Sequence, residues 1–123
     1  MSERKRVLVA DDMEANRTRI KTFLFMKHFD VETAEDGLAA KRILEGGAFD
    51  ILVSDIEMPN MNGFELLAWT KKNPATAKMP VVMLSSLDSP EVVERCARLG
   101  ATAYIVKPFT REKIDQAFAK AGL

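Results

Sequence analysis

Five residues of this chain stand where chemistry is possible. Asp11 and Asp12 directly follow an apolar run at 7–10, Asp55 follows a run at 51–53 after Ser54 alone, Ser85 follows a run at 81–84, and Lys107 follows a run at 104–106. If the runs before Asp11 and Asp55 lie side by side, three carboxylates share one crevice. Two unit charges about 4 Å apart repel by about 4 kcal/mol at an effective dielectric of about 20, so such a cluster needs a cation or shifted pKa values. A hard divalent ion answers that need. Mg²⁺ suits carboxylate, carbonyl and water ligands and bridges readily to phosphoryl oxygens. Ser85 offers a hydroxyl donor and Lys107 a fixed positive charge. A phosphoryl group seated on a carboxylate requires a metal, an ammonium and hydrogen-bond donors, because the protein's share in phosphoryl transfer is mostly positioning and electrostatics. Each residue alone has a plainer use. Asp11 and Asp12 could cap a helix, Asp55 and Ser85 could serve turns, and Lys107 could be a solvated surface lysine. Their joint placement at strand ends favours one site.

The elements that must position these residues are legible as alternating patterns. The runs at 7–10, 51–53, 81–84 and 104–106 are rich in β-branched residues and apolar without alternation, as strands buried on both faces of a parallel sheet are. A fifth run, 31–34, alternates and is expected at an edge. Between the runs lie segments of helical period. Ile20, Phe23 and Leu24 share a face, as do Ala40, Ile43 and Leu44, then Phe64, Leu67 and Ala68, then Val93, Cys96 and Ala97, and finally Ile114, Ala117, Phe118 and Ala121. Gly46-Gly47, Asn73-Pro74 and Gly100 end helices, Ser89-Pro90 starts one, Gly37 after Asp36 opens the second, and Asn62 with Glu65 has capping-box spacing. The order βα, five times over, requires right-handed crossovers and a sheet covered by helices on both faces. Ligands on such doubly wound sheets bind at the carboxyl ends of the strands.

Composition bounds the rest. The 123 residues are 47% hydrophobic, enough for one domain, 1–123, with its own core. Lys+Arg and Asp+Glu are equal at 18 each, so no global field favours direct nucleic-acid binding. The single cysteine, Cys96, forms no internal disulfide, and the apolar run after the first residues is too short for a signal peptide or membrane span. A cytoplasmic protein with no membrane contact is expected.

The residues resemble the receiver domains of response regulators in bacterial two-component signalling, including the chemotaxis receiver. The matching pieces are VLVADD at 7–12, DIEMPNMNG at 55–63, PVVMLSS at 80–86 and KPF at 107–109, and they span nearly the whole chain in the family's order. The resemblance implies a flavodoxin-like (βα)5 fold, a parallel five-stranded sheet in the order 2-1-3-4-5. It implies that Asp55 takes a phosphoryl group from a phosphohistidine on a histidine kinase or a histidine phosphotransfer protein. Asp12 and Asp55 would hold Mg²⁺ directly, Asp11 through a water, and Glu57 through its backbone carbonyl. Lys107 would pair with the acyl phosphate and Ser85 would hydrogen-bond it. Tyr104 would turn inward as the Ser85 loop moves, and the face of the fourth helix, fifth strand and fifth helix would be read by a downstream protein or an attached effector domain. A cis Lys107–Pro108 bond is also implied. Glu57 and Ser86, beside the phosphoryl position, are expected to set the lifetime of the modified state.

Other residues carry no such signal. His28 fits a surface role at a helix end, Cys96 a packed thiol, Trp69 a half-buried helix position, and Met58 and Met61 the loop after Asp55 rather than a thioether metal site. Two other functions compete with a phosphorylation switch that acts only on itself and is not an enzyme in the turnover sense. A phosphatase of the haloacid dehalogenase type also joins a nucleophilic aspartate to Mg²⁺, but it wants a second aspartate where this chain has Glu57, and turnover of a small phosphate ester would distinguish it. A constitutive receiver-like binding module would take up no phosphoryl group.

Overall fold

The computed structural model describes residues 4–123; the first three residues of the expected domain lie outside the described residues. Strands and helices alternate: β1 (Arg6–Ala10), α1 (Glu14–Met26), β2 (Asp30–Ala34), α2 (Gly37–Gly46), β3 (Ile51–Asp55), α3 (Gly63–Lys72), β4 (Val81–Ser85), α4 (Pro90–Arg98), β5 (Ala103–Val106) and α5 (Arg111–Lys120). The strands make one parallel sheet in the order β2-β1-β3-β4-β5. The expected doubly wound (βα)5 architecture is therefore present. Strands β3 and β4 each run further than their apolar runs, so that Asp55 and Ser85 are the last residues of the strands.

The two faces of the sheet follow from strand alternation. Val7, Val9, Ile51, Val53, Val82, Leu84 and Ile105 pack against Ile20 and Leu24 of α1 and Ile114, Ala117 and Phe118 of α5. Leu8, Ala10, Leu52, Val81 and Met83 face the other way, onto Ala40 and Leu44 of α2, Leu66 and Leu67 of α3, and Cys96 of α4. Each fully buried aliphatic side chain contributes about 1.5–3 kcal/mol, so this double-sided burial holds the central strands rigidly. Caps set the helix starts. Asn62 and Glu65 form the expected capping box on α3, Ser89 accepts from Val92 N with Pro90 at the first helical position, and Asp36 accepts from Ala39 N.

Three local expectations need correction. β5 is the second edge strand, and of its residues only Ile105 is buried, because the sheet order leaves one side of it unpaired. In α3 the buried face is Gly63, Leu66, Leu67 and Thr70, with Phe64 and Ala68 half-buried at its margin. In α4, Cys96 is buried but Ala97 is exposed, and Val92 and Leu99 join Cys96 on the core instead. His28 ends the first helical segment exposed and in the left-handed conformation (φ 69°), and Trp69 is half-buried, as read from the sequence.

Candidate functional site

The carboxyl ends of β1, β3, β4 and β5 bring the expected side chains together. Asp11, immediately after β1, and Asp55, ending β3, are both buried, whereas Asp12 is exposed. One carboxylate oxygen from each of Asp11, Asp12 and Asp55 lies within 4.8 Å of the others. Lys107, after β5, donates from Nζ to Asp11 Oδ2 and to Asp55 Oδ2, each at 3.0 Å. The second oxygens are also committed. Asp55 Oδ1 accepts from Ile56 N at 2.7 Å, and Asp11 Oδ1 accepts from Met13 N at 2.9 Å. The Lys107–Pro108 bond is cis, as the resemblance implies.

Burial dominates the electrostatics of this crevice. It raises the Asp55 carboxyl above its ordinary range, against the pull of the Lys107 hydrogen bond and charge, and the nearby Asp11 charge adds to the rise. Burial pulls Lys107 down, but its hydrogen bonds to Asp55 and Asp11 and their charges outweigh that, and its pKa is raised. Lys107 is thus a held cation. The donor set is three hard carboxylate oxygens with one edge open to solvent through Asp12, which fits a divalent ion that keeps waters.

Ser85 is fully buried, its Oγ accepts from Leu87 N at 3.1 Å, and its hydroxyl also lies against the Tyr104 side chain, whose phenol pKa it pulls down against the larger effect of burial. Tyr104 is half-buried, and its hydroxyl donates to the carbonyl of the same Leu87 at 2.6 Å. Burial raises its phenol pKa. The loop after β4 is therefore tied at one residue to both side chains expected to move together. Glu57 and Ser86 are exposed at the rim.

Several residues around the site make contacts that the sequence did not show. Arg17 of α1 donates from Nη1 to the Asp11 carbonyl at 2.7 Å. Gly63 N donates to Ile56 O at 2.8 Å, and a Cβ at Gly63 would overlap the Asp55 carbonyl, so only glycine lets α3 start this close to β3. Asp36 accepts at Oδ2 from Asn60 Nδ2 at 2.7 Å, and Gly37 N donates to Met61 O at 3.0 Å. Asp36-Gly37 was readable as a helix start, but no sequence signal joined it to Asn60, 24 residues away.

Comparison with known proteins agrees with this geometry. The family model described as "Response regulator receiver domain" matches residues 7–119. The chain is 33% identical over 125 residues to the chemotaxis protein CheY-3 of Vibrio cholerae, covering 98% of this chain and 96% of that protein. It is 38% identical over 106 residues to a gliding motility regulatory protein of Myxococcus xanthus, of which it spans 14%. Among solved structures, the chemotaxis response regulator CheY4 of Vibrio cholerae superposes with a TM-score of 0.91 at 31% identity, covering 97% of this chain and 99% of that one.

Proposed function

The chain belongs to the family of response regulator receiver domains, and on that premise we propose that it is a phosphorylation-dependent switch with Asp55 as the phosphoacceptor and Mg²⁺ as the required ion. The observation that carries the reading is the Lys107 ammonium, 3.0 Å from an oxygen of both Asp11 and Asp55 in a buried crevice that Asp12 opens to solvent. An Asp55 oxygen attacks the phosphorus of a phosphohistidine, the P–N bond breaks, and its electron pair stays on the imidazole. Mg²⁺, when bound, supplies charge neutralisation for the phosphoryl oxygens. Asp12, Asp55 and the Glu57 carbonyl would hold it, and Asp11 would act through a water. Lys107 stays protonated and offers its charge to the acyl phosphate, while Ser85 turns its O–H from Tyr104 toward a phosphoryl oxygen.

The signal leaves through Leu87. Because Ser85 and Tyr104 both end there, a pull on Ser85 is felt by Tyr104 and hence by the α4-β5-α5 face. A histidine kinase or histidine phosphotransfer protein is the donor, and a downstream protein or attached effector domain is the reader. Direct nucleic-acid binding is not part of the proposal, given equal numbers of basic and acidic residues. Nor is a membrane role; among the described residues no helix is long and apolar enough to cross one, and we place the domain in the cytoplasm.

Incubation with acetyl phosphate and MgCl₂ tests the reading. The expected result is a mass gain of one phosphoryl group that chelation and Asp55→Asn both abolish. Uptake by the Asp55→Asn variant, or none by the unaltered chain, would overturn it, and turnover of a small phosphate ester would favour the phosphatase alternative. Decay of the same adduct in Glu57→Ala and Ser86→Ala measures whether these rim residues set its lifetime; unchanged rates in both would remove them from that role.

A further inference from the structure

The loop 56–62 between β3 and α3 carries the Glu57 carbonyl, and the structure fastens this loop at both ends. At its root Ile56 N donates to Asp55 Oδ1 and Ile56 O accepts from Gly63 N. Met58, one residue past Glu57, is buried in the core beneath α2 and α3. At its tip the chain reverses through Asn60, which sits in the left-handed region at φ 67°, a conformation that costs a non-glycine residue about 1 kcal/mol and that asparagine tolerates best. The reversal aims two groups at the start of α2. The Asn60 amide donates to Asp36 Oδ2 at 2.7 Å, and Met61 O accepts from Gly37 N at 3.0 Å. The fit leaves no spare room, since a Cβ at Gly37 would overlap the Met61 carbonyl. Asp36 is buried, and its other oxygen caps α2 by accepting from Ala39 N at 2.8 Å.

We propose that Asp36 and Asn60 form a latch that positions the Glu57 carbonyl, so that α2, which supplies no group to the acidic crevice, sets the affinity of that crevice for a divalent ion. The proposal rests on the Mg²⁺ reading above and deepens it. Asp36 is a positioning residue. Its capping duty alone would stabilise α2 without reference to the loop, but Asn60 needs no partner to satisfy the helix, and its side chain is exposed apart from this bond. The bond therefore serves the loop. Fixing a ligand-bearing segment before the ion arrives removes the ordering cost from binding.

Two substitutions separate latch from cap. Asp36→Ser keeps a good N-cap oxygen but is too short to reach Asn60. Asn60→Gly keeps the left-handed backbone and deletes the amide. Loss of the latch is expected to raise the apparent Kd for MgCl₂, followed by amide shifts of Asp12 and Asp55, about fivefold in either variant, the equivalent of one net hydrogen bond. The double variant should lose no more than either single one, because both remove the same contact. Without any ion, amide exchange at Gly37 should quicken in both variants, since its partner is Met61 O on the released loop. Unchanged Kd values, or losses that multiply in the double variant, would overturn the proposal. If Gly37 exchange quickens while the unaltered chain shows no saturable response to MgCl₂, the latch stands as a loop clamp, but its link to the ion falls together with the Mg²⁺ reading.

Discussion

Asp55 lies buried beside Asp11, and burial raises its carboxyl above the ordinary value of 3.8 even with Lys107 in contact. Asp36 is also buried, but the hydrogen bonds from Ala39 N and then from the Asn60 amide lower its carboxyl below 3.8. The two groups give stability opposite pH slopes. For Asp55 the folded state binds protons more readily than the unfolded one, so its contribution is complete below 3.8 and is lost as pH rises through its folded value. For Asp36 the unfolded state holds the proton longer, so its contribution is present above 3.8 and is lost as pH falls through its folded value. In metal-free protein, Asp55→Asn should therefore raise the Tm at pH 7, and the gain should shrink as the pH falls through the folded value of Asp55 and be gone below 3.8. Asp36→Asn should lower the Tm at pH 7, and that deficit should also fade on acidification. Calorimetric melts of both variants from pH 7 to pH 3 check the pair; two differences of the same sign at pH 7 would refute the assignment.

The elements explain how much of this was readable. Strand ends were legible because strands packed on both faces read as apolar runs, so Asp11, Asp55, Ser85 and Lys107, each at most two places past the end of such a run, mark the crevice without knowledge of the fold. Helix faces were less legible where a helix is short or thinly covered. Phe64 and Ala68 share a stripe with Leu67, yet the buried stripe of α3 turns toward Gly63 and Thr70, because Gly63 lets the helix start against the Asp55 carbonyl and so fixes its rotation. α4 has Cys96 as its one buried residue, and one-residue burial cannot define a face by period. The Asn60–Asp36 bond was invisible because side-chain pairing between a loop and a distant helix start leaves no periodicity. The close approach of α3 to β3 makes a direct prediction. Gly63→Ala should cost about 3 kcal/mol or more, because the added Cβ meets backbone, which cannot step aside as a flexible side chain can. Gly46→Ala, at the last position of α2 with nothing near the new Cβ, should stabilise by about 0.5–1 kcal/mol. Urea melts of the two variants measure both; a tolerated Gly63→Ala would mean that α3 can back away from the site.

At the scale of the molecule, the buried carboxylates among the described residues, Asp11, Asp36 and Asp55, all stand at the carboxyl ends of neighbouring strands β1, β2 and β3. The rest of the core is almost entirely apolar. Of these, the ionised Asp55 opposes folding whereas the ionised Asp36 favours it, so a cation in the crevice beside Asp55 would relieve a cost that the metal-free domain carries. A ligand that binds only the folded state stabilises it by RT ln(1 + [L]/Kd), about 2.7 kcal/mol at a hundred times Kd. For a domain of this size that is a Tm rise of roughly 10 °C. Asp12 provides the cleanest control. It is exposed, so Asp12→Ala should change the metal-free stability by less than about 0.5 kcal/mol, yet it removes one proposed ligand and should take most of the MgCl₂-dependent rise with it. Asp55→Asn should do the reverse in the metal-free state, starting more stable than the unaltered chain, and should then gain little from the ion. Melts in MgCl₂ against NaCl of matched ionic strength separate ion binding from screening. An equal rise in Asp12→Ala and the unaltered chain would show that the ion acts elsewhere, whereas a rise confined to chains that keep Asp12 and Asp55 would tie the stability of the whole domain to the occupancy of this one crevice.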